Sequence, residues 1–390
     1  MKQQKSLMIV FLLLATALVA CRKDEFEERI IPSTWTKVTQ GVSGSRIKGF
    51  FLLNEGNMGS NKASLDYFDY TTGYYMRNIF AELNPSVVNE LGDVGNDLQI
   101  YGDKLYAVIN CSHFVEVMDL ATAKHRAVVS IPNCRYIVFH DRYAYVSSYA
   151  GPVSLDPNAR LGYVAKVDTA TLRVVAQCTV GYQPEGMVVV GDKLYVANSG
   201  GYRAPNYDNT ISVIDLTSFT QTQKIEVAIN LHQLEKDNYG NIYITSRGDY
   251  YAVPSQTLIF NTVSQTISQP FGPLPVSCMS LSGDMLYLCS TQWSYVTNTN
   301  TVNYAKIDTR TQKIITKNFI SDGSEKNITR PYGVAFNQEN GEFMVADAKN
   351  YISPGMLYCF NADGTKKWEV QTGDIPAHIV FTHKQLKINK

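Results

Sequence analysis

Apolar and polar residues alternate along most of this chain in short runs, separated by turns rich in Gly, Asp, Asn and Thr. A period of two over such runs predicts strands. From Asp97 the text is DLQIYGDKLYAVINCSHFVEVMDLATAKHRAVVSI. It reads as strand, Gly-Asp turn, strand, loop, strand ending in Asp-Leu, turn, strand. GDKLY recurs at Gly191–Tyr195, again with ISVIDLTS downstream. Four further stretches follow the same grammar, so six complete four-strand units of about 45 residues run from Asp97 to Val370. Two fragments remain. GFFLLNEGNMGSNKASLDYFDYTTGYYMRNIF near the start lacks an inner strand, and AHIVFTH near the end is an inner strand alone. Complementary half-units are what a closed ring needs and an open solenoid does not. The predicted fold is all-β: a seven-bladed β-propeller closed by a C-terminal inner strand that completes the first blade.

In such a blade the first–second and third–fourth turns lie on one face. The second–third loops and the crossovers between blades lie on the other. The first set is short here (GDK, HDR, SGD, TRTQ) and the second is long and aromatic. The long loops carry Asn57, His113, Phe114, Tyr149, Tyr202, Arg203, Tyr207, Arg247, Tyr250, Tyr251, Trp293, Tyr295 and Tyr351, and the crossovers add Arg135, Tyr182 and Tyr332. Rigid aromatic area beside donors and acceptors suits ligand contact, so these sixteen are the candidate ligand-binding residues. The alternative for any single tyrosine is packing beneath its own loop. Asp97, Arg135, Glu185, His232, Tyr332 and His378 fall at equivalent places just before the inner strands, which puts them around the channel mouth.

The N-terminus reads differently. Lys2 and Lys5 precede an apolar run that ends LVAC at Cys21. That predicts a signal peptide over 1–20 and, by similarity to a bacterial lipobox, lipidation of Cys21. Residues 21–45 read as a tether and 46–390 as the propeller. Asp24, Glu25, Glu27 and Glu28 resemble the signal that sends some lipoproteins to the outer cell surface.

Charge and motifs narrow the function. Lys and Arg total 35, as do Asp and Glu, with no long basic run, which argues against nucleic acid as a partner. There is no GxSxG, HExxH, P-loop or EF-hand loop, so no enzyme, cofactor or metal site is predicted. One enzymatic alternative stays open, a lyase or hydrolase site built at the channel mouth from His232 and His378 with Asp97 and Glu185. Around the Gly283-Asp284 turn, Cys278 falls opposite Cys289. Two neighbouring buried thiols are preferred there over a strained cross-strand disulfide.

Two resemblances go further than composition. LYVANSGG and ISVIDLTS are similar to the YncE-like propellers. LNEGNMGSNKASLDYFDYTTG, ELGDVGNDLQIYGDKLYAVINCSHFVEVMD, SYAGPVSLDPNARLGYVAKVDT, VGYQPEGMVVVGDKLYVANSGGYR and SRGDYYAVPS resemble BtuG-type cobalamin-binding surface lipoproteins of gut Bacteroidetes. That resemblance implies non-enzymatic capture of cobalamin (vitamin B12) or a related corrinoid. It also implies lipid anchoring in the outer membrane, facing the cell exterior, and delivery to a TonB-dependent transporter. A carbohydrate-binding surface lipoprotein is the alternative, since Tyr, Trp and Asn also suit glycans.

Overall fold

The computed structural model describes residues 33–87, 91–294 and 299–388, so the predicted signal peptide, Cys21 and most of the tether lie outside the described residues. Residues 36–390 form one compact unit. Strand β1 is Trp35–Lys37, within the stretch read as a tether. Then come β2 (Gly49–Asn54), β3 (Ser64–Asp69) and β4 (Tyr74–Met76), followed by a short helix α1 (Ile79–Leu83) where the pattern suggested more strand. The second blade is β5 (Gly95–Tyr101), β6 (Lys104–Ile109), β7 (Phe114–Asp119) and β8 (His125–Ser130). The third is β9 (Cys134–His140), β10 (Tyr143–Ser148), β11 (Tyr163–Asp168) and β12 (Arg173–Thr179). The fourth is β13 (Pro184–Val190), β14 (Lys193–Asn198), β15 (Thr210–Asp215) and β16 (Thr220–Glu226). The fifth is β17 (Leu231–Lys236), β18 (Asn241–Ser246), β19 (Gln256–Asn261) and β20 (Thr266–Ser268). The sixth is β21 (Cys278–Ser282), β22 (Met285–Ser294), β23 (Thr299–Asp308) and β24 (Lys313–Thr316). The seventh is β25 (Pro331–Phe336), β26 (Phe343–Asp347), β27 (Pro354–Phe360) and β28 (Lys366–Asp374).

The last strand, β29 (Pro376–Thr382), pairs antiparallel with β2 and completes the first sheet, in the order β1-β4-β3-β2-β29. The inner strands contact one another in the order β5, β9, β13, β17, β21, β25, β29 and back to β5. The fold is a seven-bladed β-propeller, closed as the fragments at the two ends predict.

The blade pattern has a packing cause. Each sheet is sandwiched between two others, so its middle strands bury both faces. Leu105 to Ile109 in β6 are all buried, whereas β16 (TQTQKIE) is almost wholly exposed. Apolar clusters lie between sheets, such as Phe50, Phe68 and Tyr75 against Met344, Leu357 and Trp368. Full burial of one such side chain stabilises by ~1.5–3 kcal/mol.

The repeated Asp at the end of the third strand also has a structural cause. The Oδ1 atoms of Asp119, Asp168, Asp215 and Asp308 each accept backbone N–H groups two or three residues on, and Asn261 does the same. This Asx turn closes the outer hairpin. On the inner hairpins Gly102, Gly191 and Gly283 take φ of 62°, 57° and 59°, which explains the glycine in GDK and SGD.

Cys278 stands opposite Cys289 in the β21–β22 register, and both are free thiols. The predicted second–third loop of the sixth blade is a correction. Ser290 to Ser294 pair with Asn303 to Thr299, so much of that stretch continues the hairpin. Thr and Val are frequent there and sustain strand conformation.

Candidate functional site

Six of the seven inner strands carry a register shift where they enter from the long-loop face. The extra residues are Asn96 in β5, Tyr332 in β25 and Ala377 in β29. In β9, β13 and β17 the pairs Arg135–Tyr136, Glu185–Gly186 and His232–Gln233 each oppose one residue of the neighbouring strand. Only β21 is regular. A bulge re-aims side chains that a regular ladder would hold in register. The mouth residues therefore sit within the first turns of the inner strands, not just before them as the sequence suggests.

Of these, Arg135, His232, Tyr332 and His378 line a bowl of about 1210 Å³ to which residues of all seven blades contribute. Beneath the floor lies Glu185, sealed from solvent at 1% side-chain exposure. Arg135 donates to it from Nε at 3.1 Å, and its Nη2 lies 3.0 Å from Oε2. Arg247 donates from Nη1 at 3.1 Å, and the Tyr149 hydroxyl donates at 2.5 Å. The Arg135 guanidinium also lies over the Tyr149 ring, 4.9 Å from its centroid. Burial works to raise the Glu185 pKa, but the two guanidiniums and the Tyr149 hydroxyl outweigh it and hold the carboxyl below its ordinary value. Beside it, Tyr136 Oη and His232 Nε2 share a hydrogen bond of 2.8 Å. Burial, then the charges of Arg247 and Arg135, push the His232 pKa well down, so the ring is neutral.

Across the bowl, Glu55 accepts from the Tyr332 hydroxyl at 3.1 Å and pairs with His378 Nε2 at 3.2 Å. The Glu55 carboxylate, with burial, holds the Tyr332 phenol well above its ordinary pKa. Tyr332 packs edge-on against Tyr351, and Arg330 lies 5.2 Å from the Tyr351 ring centroid. The rim is apolar by contrast: Tyr251 is 81% exposed, Met58 64% and Tyr250 56%. A narrower cavity of about 500 Å³ runs along the inner strands and shares Tyr136, Gln233, Tyr332 and His378 with the bowl.

Of the sequence-predicted residues, Asn57, Arg135, Tyr202, Arg247, Tyr250, Tyr251, Tyr332 and Tyr351 line the bowl. Tyr149 supports it from beneath, buried at 2%. His113 lines a smaller depression of about 390 Å³, with its Nδ1 accepting from the Asn133 N–H. Phe114 is the first residue of β7 rather than a loop residue. Tyr182 and Arg203 brace one another, with the guanidinium 3.5 Å from the ring centroid, and Tyr207 is half-buried and does not line the bowl. The side chain of Trp293, and all of Tyr295, lie outside the described residues. Sequence reading missed Glu55, Met58, Tyr136, Gln233 and Arg330 as lining residues. A signal existed for two: Glu55 directly follows the second strand of its blade, and Tyr136 follows Arg135. Among the described residues no group of three or more His, Cys, Asp or Glu is placed to hold a metal ion.

Residues 48–382 match the family model described as Domain of unknown function (DUF5074). The chain belongs to that family. The DUF5074 match spans nearly the whole propeller, from just before β2 to the end of β29. No curated protein sequence matches the chain. Solved structures with a similar fold include a hypothetical selenium-binding protein from Sulfolobus tokodaii (TM-score 0.60, 11% identity, covering 87% of this chain and 94% of that one). A putative 6-phosphogluconolactonase from Bacteroides fragilis gives 0.58 at 11% identity, covering 86% and 98%. A quinonprotein alcohol dehydrogenase-like protein from Bacteroides thetaiotaomicron gives 0.55 at 14% identity, covering 86% and 78%. At these identities the likeness is one of fold, and the DUF5074 site has to be read from its own residues.

Proposed function

We propose that this protein is a non-enzymatic binder that captures cobalamin or a related corrinoid in the bowl on its long-loop face. Anchored through a lipid on Cys21 in the outer membrane, it hands the vitamin to a TonB-dependent transporter. The observation that carries the reading is the bowl itself. At about 1210 Å³ it exceeds the ~300–1,000 Å³ of sites for drug-sized molecules, and every blade contributes to it. A corrinoid is a ligand of that scale, with a broad apolar ring edged by amides. Tyr250, Tyr251 and Met58 offer apolar rim surface for the ring. Asn57 and Gln292 offer both donors and acceptors to the amides.

The test compares the two faces. Tyr251→Ala is expected to weaken cyanocobalamin about tenfold in isothermal titration, the usual loss for an aromatic contact. Asp103→Ala, at a short turn on the opposite face where the carboxylate pairs with Arg126, is expected to leave binding unchanged. Equal effects of the two substitutions contradict a site on the long-loop face. Heat with neutral oligosaccharides and none with any corrinoid supports the glycan alternative, since tyrosine faces also stack on sugars. Turnover that depends on His232 and His378 supports the enzymatic one.

A further inference from the structure

The charges on the bowl wall are unevenly distributed. Arg135, Arg247 and Arg330 line it, against the single carboxylate of Glu55. Glu185 does not line the bowl but lies beneath Arg135 and Arg247, so two guanidiniums cover one carboxylate. A structural ion pair needs one guanidinium. The second, Arg247, is an excess positive charge on the bowl wall, its side chain 29% exposed, and it is placed to pair with an anion that enters the bowl.

The donor geometry narrows what that anion is. Arg247 spends only Nη1 on Glu185, and among the described residues its Nε and Nη2 make no hydrogen bond to protein. That edge is the fork that grips two oxygens of one oxyanion. Arg135 is the reverse: Nε and Nη2 hold Glu185, and Nη1 makes no hydrogen bond to the described protein. Glu55, held by Tyr332 and His378, is the one carboxylate on the other side of the bowl, and Arg330 lies near it beside Tyr351.

We propose that Arg247, backed by Arg135, forms an anion subsite on the floor of the bowl that takes the phosphate group of the bound ligand. This deepens the reading of the bowl as a corrinoid site and rests on it for the ligand's identity. Cobalamin carries a phosphodiester in its nucleotide loop, whereas cobinamide lacks that loop. The subsite then reads the loop, and Glu55, Asn57 and Gln292 read the amides.

The experiment has two arms. In the first, wild type, Arg247→Gln and Arg247→Lys are titrated with cyanocobalamin and dicyanocobinamide, with thermal unfolding to verify each fold. A charge-assisted bidentate contact predicts that Arg247→Gln weakens cyanocobalamin about tenfold or more and dicyanocobinamide less than about twofold. Arg247→Lys keeps the charge without the fork and falls between. In the second arm, inorganic phosphate is titrated against chloride of matched ionic strength, following the unfolding midpoint. A saturable rise in wild type that is lost in Arg247→Gln supports the subsite independently of any corrinoid. If neither corrinoid binds but this phosphate effect holds, the corrinoid reading falls and the subsite stands. If Arg247→Gln weakens both corrinoids equally and phosphate stabilises both proteins alike, the subsite is overturned and the corrinoid reading stands.

Discussion

Glu235 shows how one residue on the channel wall makes a measurable statement about the fold. It lies on β17 along the narrow cavity, and burial pushes its carboxyl up to about 7 from 4.5. Between those values the folded state holds a proton that the unfolded chain releases. Its contribution to stability is therefore fully present below about pH 4.5 and is lost as pH rises through about 7. Glu235→Gln is expected to remove that part of the fall, seen as a flatter dependence of the denaturant midpoint on pH from 5 to 8. An unchanged slope contradicts the assignment. At this scale the sequence was informative where position alone decides. Arg135, His232 and Tyr332 are legible as mouth residues because they fall at equivalent places in the repeat. Tyr149 was not legible as support rather than contact, because its burial depends on Glu185 lying beneath two arginines from other strands.

Among elements, the inner strands do most to shape the site. They approach so closely that side chains are excluded at some crossings. A Cβ built on Gly333 would lie 1.9 Å from the Ala377 carbonyl oxygen of β29, at the point where the ring closes. Gly333→Ala is expected to cost on the order of 1–3 kcal/mol and to lower the thermal midpoint by a few degrees. Gly151→Ala is the control, since the nearest neighbouring atom there is 4.0 Å away. Equal midpoints for the two variants contradict close packing at the closure. Strand positions were readable from alternation and from the Asx turns that end most third strands. The bulges were not, because a register shift belongs to a pair of strands and leaves no mark in either alone. The hairpin of the sixth blade was read as loop for a related reason: polar Thr and Asn residues serve a projecting ribbon as well as a loop.

For the whole molecule, one circumstance explains both the closure and the site. A bowl to which all seven blades contribute exists only if the ring is complete. The closing strand supplies His378, the partner of Glu55, as well as a hydrogen-bonding neighbour for β2. Truncation before Ile375 leaves β2 as an exposed, largely apolar edge. The truncated chain is expected to lose its monomeric peak in size-exclusion chromatography and to lose ligand binding. A soluble monomer with an unchanged midpoint contradicts this account of closure. Blade number and closure were the most legible features of the chain, since each repeat restates them and the two half-units complement one another. The corrinoid proposed as ligand rests on a resemblance in the loops and not on the repeat, because loops vary where strands repeat.

The central claim is that the bowl on the long-loop face takes a corrinoid. The most direct test is isothermal titration of the wild-type protein with cyanocobalamin, alongside a panel of neutral oligosaccharides. Saturable one-to-one binding of cyanocobalamin, with no heat from the sugars, is the predicted result. No binding of cyanocobalamin or any other corrinoid by the folded protein contradicts it.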